Sequence, residues 1–204
     1  AIKSLAFKPA PQLGFADDEG MQADLTPVAD FYQVSKNFVN PTVDVSTWKL
    51  QIGGLVDTPK SYTYKDILAL PGAAEQYGTL ECISNEVGGD LISNGLWKGV
   101  RLADLLKAAG VKPAAKRLVL SADDGYTDSF PMDKALQPTV LLAYQLDGQA
   151  LAPDHGFPLR LIVPGIFGMK NVKWITKIEP SDNAGFLGYW EERGWSNVAT
   201  VKTM

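Results

Sequence analysis

The chain has 204 residues, 46% of them hydrophobic and 21% charged, with a formal net charge of −4 and a pI near 5.0. That length suits one large domain with short extensions, able to bury roughly 70% of the surface its unfolded chain exposes without disulfide support. A weakly acidic chain without a basic stripe is a poor match for a nucleic-acid groove, so no nucleic-acid partner is expected. A lone cysteine excludes an internal disulfide, and no apolar run approaches the ~18 residues of a membrane span.

In chain order, residues 1–27 are rich in Pro, Ala and acids and show no period. They read as an arm or tether ahead of the domain, without the basic-then-apolar order of a signal peptide. Trp48-Lys-Leu-Gln-Ile alternates apolar and polar and breaks at Gly53-Gly54, which predicts a strand. Tyr64–Leu70 predicts a short helix stopped by Pro71-Gly72. Leu80-Glu-Cys-Ile predicts a short strand, and Asn94-Gly95 between apolar stretches predicts a tight hairpin. Leu102–Gly110 is the strongest helix signal: Leu102, Leu105 and Leu106 share a face and Gly110 is placed as the cap.

Arg117–Ala122 and Tyr126–Phe130 flank Asp124-Gly125, a second hairpin signal. Val140–Leu146 runs into Asp147-Gly148, a third. Leu159–Pro164 and Val172–Ile178 are β-prone and are expected to pair or lie close. Strands outnumber helices and hairpins outnumber crossovers. The predicted class is therefore α+β, with mixed, mostly antiparallel sheets and short helices.

The common signatures of dinucleotide, P-loop, zinc-protease and serine-hydrolase sites are absent from the sequence. One histidine rules out a His-rich zinc site, and one cysteine rules out a Cys-only one. Three stretches can carry chemistry. Gly78-Thr-Leu-Glu-Cys82-Ile-Ser-Asn85 ends a strand on a thiol ahead of polar residues and paired glycines. A thiolate there suits a soft transition metal, and the plain alternative is a buried free thiol. In Asp154-His155-Gly-Phe-Pro-Leu-Arg160 through Gly168-Met-Lys170-Asn171-Val172-Lys173-Trp174, the cations Arg160, Lys170 or Lys173, with His155, can converge on one anion. The alternative is a set of solvated strand-end charges. Phe31-Tyr32-Gln33-Val34-Ser35-Lys36 offers aromatics and polar groups that suit the wall of a flat ring, or simply a loop pinned by aromatics.

Together the three stretches resemble the sulfite oxidase family of molybdopterin-dependent oxidoreductases. The run Asp154–Gly165 followed by Gly168–Trp174 looks like the family's pterin-phosphate segment. Cys82 falls at the place of the cysteine that ligates molybdenum, with Asn85 completing a Cys-x-x-Asn, and Leu96–Leu106 resembles the element leading into the family's first long helix. The resemblance covers about residues 28 to 180 and implies the family's molybdopterin-binding fold over 28–182. Residues 183–204 then form a tail leading toward a dimerisation domain.

The resemblance implies a molybdenum-molybdopterin cofactor, with Cys82 as the sole protein ligand of the metal. It implies that His155, Arg160, Asn171, Val172 and Lys173 hold the pterin and its phosphate. Tyr32, Gln33 and Lys36 would line it from the N-terminal side, and Ser121 or Asp123 would reach it from the hairpin. The family reaction moves an oxygen atom to or from a small-molecule substrate. Here Gln33, Val34 and Glu86 stand where sulfite-oxidising members carry arginine, and the family's catalytic tyrosine has no counterpart in register. The expected substrate is therefore not sulfite; sulfite oxidation, or an electron-relay module without turnover, is the alternative. A separate electron-transfer partner, a cytochrome or a membrane quinone-linked protein, is expected. So is a periplasmic or extracytoplasmic location, in a membrane-tethered context, for a chain that begins at Ala1 without Met.

Overall fold

The computed structural model describes residues 25–201, so residues 1–24, most of the expected arm, lie outside them. Two five-stranded sheets carry the fold. The first contains β1 (Lys49–Ile52), β2 (Lys60–Thr63), β5 (Arg117–Ala122), β6 (Thr127–Pro131) and β10 (Ile175–Ser181), in the order β2-β1-β10-β5-β6. The second runs β3 (Ala74–Glu81), β4 (Ile92–Arg101), β7 (Leu141–Leu146), β8 (Gln149–Ala150), with β9 (Arg160–Ile162) also paired to β7. β1 and β10 run parallel, and the other pairings are antiparallel. The helices are α1 (Tyr64–Ala69), α2 (Leu102–Ala109) and α3 (Met132–Ala135). Mixed sheets with few short helices are the predicted fold class.

Local chemistry explains the boundaries. Thr63 accepts from the Asp66 amide while Asp66 accepts from the Thr63 amide, a reciprocal cap that starts α1. α2 buries Leu102, Leu105, Leu106 and Ala109 and ends on Gly110 at φ 71°, where a side chain is disfavoured. The turn residues Gly125, Asp147 and Gly148 all take positive φ, so both β5–β6 and β7–β8 are hairpins as expected. β7 is buried on both faces. Leu142 and Tyr144 enter the main core between the sheets, while Leu141, Ala143 and Leu146 join Phe31, Leu80 and Trp97 on the far side. Its near-continuous apolar run follows from that double burial.

One expectation about the elements fails. Asn94-Gly95 is not a turn: both residues lie inside β4, opposite Thr79 and Gly78. Gly95 is required for space, because a Cβ there would come 2.3 Å from Leu146 Cδ1 and 3.1 Å from Phe31. The two β-prone segments before and after Gly168 lie close, as expected, without pairing in one sheet. Residues 159–164 and 172–178 meet through Leu161 N to Val172 O at 2.9 Å and Ile175 N to Leu159 O at 3.1 Å. Their strands β9 and β10 nevertheless join different sheets. The crossing between them carries the chain from one sheet to the other, and the cleft forms there.

Candidate functional site

A cleft open to solvent lies where residues 32–36, the end of β3, the β5–β6 turn and residues 168–174 meet. Tyr32, Gln33, Lys36, Cys82, Arg160, Asn171, Val172 and Lys173 all line it. Cys82 sits half-buried just past β3, its thiol 3.0 Å from Ser84 Oγ. The loop behind it is stapled by Asn85, whose side chain accepts from Leu91 N and donates to Glu81, while Cys82 N donates to Leu91 O. Tyr32 Oη occupies space kept free by Gly168, where a Cβ would intrude to 2.3 Å. Burial pushes this phenol up to about 12, against the pull of Arg160.

The electrostatics centre on two cations. Arg160, 6% exposed, makes one long hydrogen bond, Nη1 to His155 O at 3.4 Å, and its buried Nε has no partner. Its guanidinium lies over Trp97, 5.5 Å from the ring centroid. Lys173 Nζ donates to Asp154 O at 3.1 Å and lies 4.4 Å from the Trp174 ring centroid. Neither cation has a carboxylate within ion-pair distance among the described residues. Burial pulls Arg160 down to about 10, and burial with the Arg160 charge pulls Lys173 down to about 7. Gly156, at φ 104°, brings the pair together: a Cβ there would be 3.0 Å from Lys173 Cβ and 3.2 Å from Arg160 Cβ.

His155, Ser121 and Asp123 do not line the cleft, and Asn171, which does, is tied into its turn. His155 is buried beneath the cleft, edge-on to Phe31, with Nε2 3.2 Å from Val28 O and Nδ1 without a partner; burial lowers its pKa. Asn171 directs its amide inward, accepting from Val163 N at 2.6 Å and donating to the Ile166 and Phe167 carbonyls, so it fixes the turn. Ser121 and Asp123 face a separate groove with Trp48 and Lys177. Asp124 takes the place in the cleft, its carbonyl accepting from Lys36 Nζ at 2.9 Å. The strand alternation of β5 turns Ser121 away from the cleft, and the turn swings Asp124 back.

Lys170 does not join Arg160: it is fully buried between Asp128 and Glu191. Tyr126, Asp154, Trp174 and Trp190 also line the cleft and were not among the expected site residues. Asp154 and Trp174 flank the recognised segment, whereas Tyr126 reads as an ordinary strand residue.

A pair of cations without an ion-pair partner among the described residues, one of them buried, in the same cleft as a thiol suits a group carrying a phosphate and a soft metal, so the residues present fit such a cofactor. The family described as oxidoreductase molybdopterin binding domain matches residues 37–190. An uncharacterized oxidoreductase of Bacillus subtilis (strain 168), YuiH, is 37% identical over 152 residues, 74% of each chain. The sulfite oxidase of Arabidopsis thaliana is 33% identical over 197 residues, covering 80% of this chain and 50% of that one. Nitrate reductase [NAD(P)H] of Hordeum vulgare is 35% identical over 180 residues, 76% of this chain and 20% of its own length. The crystal structure of the sulfane dehydrogenase SoxCD from Paracoccus pantotrophus superimposes with a TM-score of 0.74 at 31% identity, over 81% of this chain and 46% of that one.

The chain belongs to the sulfite oxidase family of molybdopterin-binding oxidoreductases. Its cofactor is Mo-molybdopterin.

Proposed function

We propose that Cys82 ligates the molybdenum, that Arg160 and Lys173 hold the cofactor's phosphate, and that the enzyme transfers an oxygen atom from a neutral oxide such as a sulfoxide. The observation that carries the reading is the Arg160–Lys173 pair, without an ion-pair partner among the described residues, in the same cleft as the chain's only thiol. The cofactor, when bound, supplies two-electron oxygen-atom exchange with the substrate. The residues supply position and field. Arg160 offers a planar fork for phosphate oxygens, and Lys173 regains full charge when an anion arrives. Tyr32, Gln33 and Lys36 wall the N-terminal side. Glu81 and Glu86 flank the Cys82 loop, and Gln33 and Val34 bring no cation; with Arg160 and Lys173 given to the phosphate, little cationic support is left for an anionic substrate.

The test is elemental analysis and release of a fluorescent pterin on oxidation, followed by turnover. Molybdenum bound near one per chain and reduction of dimethyl sulfoxide with a reduced viologen are expected, with sulfite a poor substrate. Faster oxidation of sulfite would replace this reading with sulfite oxidation, and bound cofactor without either reaction would leave an electron-relay module. A separate electron carrier and work outside the cytoplasm belong to the same proposal; the family resemblance supports them, and cell fractionation tests the second. No helix of the described residues is long and apolar enough to cross a membrane.

The cation pair makes a further prediction on cofactor-free protein. Lys173 is held near 7 in the fold, below the ~10.4 of a free lysine. At about pH 6 it is charged before sulfate arrives; at about pH 9 it must take up a proton to hold the anion. Sulfate, a dianion at both, should therefore raise Tm more at the lower pH. Near a hundred times Kd the gain is ~2.7 kcal/mol, several degrees in Tm. An equal rise at both pH values, or the same rise in Arg160→Ala, would show that sulfate binds elsewhere.

A further inference from the structure

Behind the cleft wall, ionisable groups from four segments meet out of water. Lys170 directs Nζ to Asp128 Oδ1 at 2.7 Å, to Ser129 O at 2.9 Å and to Glu191 Oε1, which uses all three of its protons. Asp128 is wholly buried, and Glu191 is 6% exposed with Oε2 buried and unpartnered. The remaining charge packed against them is Arg117, which donates to Ser129 and Asn197 and makes no ion pair with either carboxylate. One lysine thus serves two buried carboxylates. Two ionised carboxylates in that space repel each other, and a shared proton relieves them. In keeping with this, burial pushes Asp128 up to about 6, against Lys170 and helped by Glu191.

Tyr126 links this cluster to the cleft. Its hydroxyl lies 2.8 Å from Asp128 Oδ2 and 2.9 Å from Met169 O, and both Tyr126 and Met169 line the cleft. A phenol has one proton to donate. With Asp128 ionised it donates to the carboxylate. With Asp128 protonated, the acid donates to the phenol oxygen and the phenol turns to Met169 O. The two states interchange with no heavy atom moving.

We propose that Asp128 and Glu191 share one exchangeable proton near neutral pH, and that Tyr126 delivers it to the cleft during turnover. The delivery step rests on the oxygen-transfer reading. Reducing a sulfoxide consumes two electrons, from a reduced carrier protein, and two protons, and it yields a sulfide and water. Tyr126 gives one proton to the departing oxygen as Asp128 gives its own to Tyr126. The pair is refilled by protons from solvent between turnovers, and the second proton enters with solvent through the cleft mouth. No electron moves in the relay.

Infrared spectroscopy of the purified protein reads the store without turnover. A buried neutral-carboxyl band is expected to grow as pH falls from about 8 to about 5, centred near neutrality, and to vanish in Asp128→Asn. Absence of that band, or its survival in Asp128→Asn, would overturn the shared proton. Glu191→Gln, which keeps the lysine contact, should shift the midpoint; an unmoved midpoint would show that the carboxylates are not coupled. The relay is read in molybdenum-loaded enzyme reducing dimethyl sulfoxide with reduced viologen. Tyr126→Phe should lower kcat roughly tenfold or more above neutral pH, with KM unchanged and a flattened pH profile. A pH profile parallel to wild type would overturn delivery by Tyr126. A titrating band in protein that reduces no sulfoxide would overturn the oxygen-transfer reading and the delivery step together, leaving the shared proton established.

Discussion

Cys82→Ser is expected to leave a folded protein with no measurable oxidoreductase activity. The thiol is half-buried at a strand end and touches Ser84 Oγ, a contact that a hydroxyl of nearly the same shape can keep. The stability change should therefore stay within about 1 kcal/mol, in the range of mild substitutions. The chemistry does not survive the exchange. A thiolate is a soft ligand that is ionised or nearly so beside a metal, whereas a serine hydroxyl is a hard and far weaker acid. A loss on the order of 10³-fold or more, about 4 kcal/mol of barrier, is expected. Thermal melting checks the fold, elemental analysis the metal, and steady-state turnover the activity. A serine variant that turns over like wild type would remove Cys82 from the metal.

Arg160→Ala is expected to purify as stable, largely cofactor-free protein. Removing one charged partner of a desolvated phosphate weakens binding by roughly 2–5 kcal/mol. The unliganded chain should feel the opposite. Arg160 is a buried cation with an unpartnered Nε and no carboxylate mate, so its removal relieves a desolvation cost. Loading and stability are thus predicted to part: molybdenum content falls while the Tm of cofactor-free protein holds or rises. Arg160→Lys should not restore loading fully, because an ammonium lacks the planar fork. Full molybdenum content in Arg160→Ala would make the residue structural.

Those two residues were legible in the sequence because a short local pattern carries them. Cys82 is the only thiol, and Arg160 stands in a continuous run whose spacing is preserved in any register. The same holds for elements set by adjacent residues: the Thr63–Asp66 cap of α1, Gly110 closing α2, and the Asp124-Gly125 and Asp147-Gly148 turns. Each rests on backbone conformation or a hydrogen bond spanning a few positions, so neighbours in the chain suffice.

What the sequence left open depends on partners distant in the chain. Gly95 looks like a turn glycine, yet Leu146 and Phe31, brought from elsewhere, make it a glycine of close packing. Lys170 and Lys173 are both lysines after the same glycine. The turn at Gly168–Lys170 sends one beneath the cleft to Asp128 and Glu191 and leaves the other beside Arg160. Asp124, not Asp123, reaches the cleft because the strand pairing of β5 decides which side chain faces which way. Tyr126 gains its place only where β6, the Met169 turn and the segment around Glu191 come together. Side-chain direction and burial are set by which elements pack across from a residue, and that is fixed by the tertiary fold, beyond the reach of local spacing.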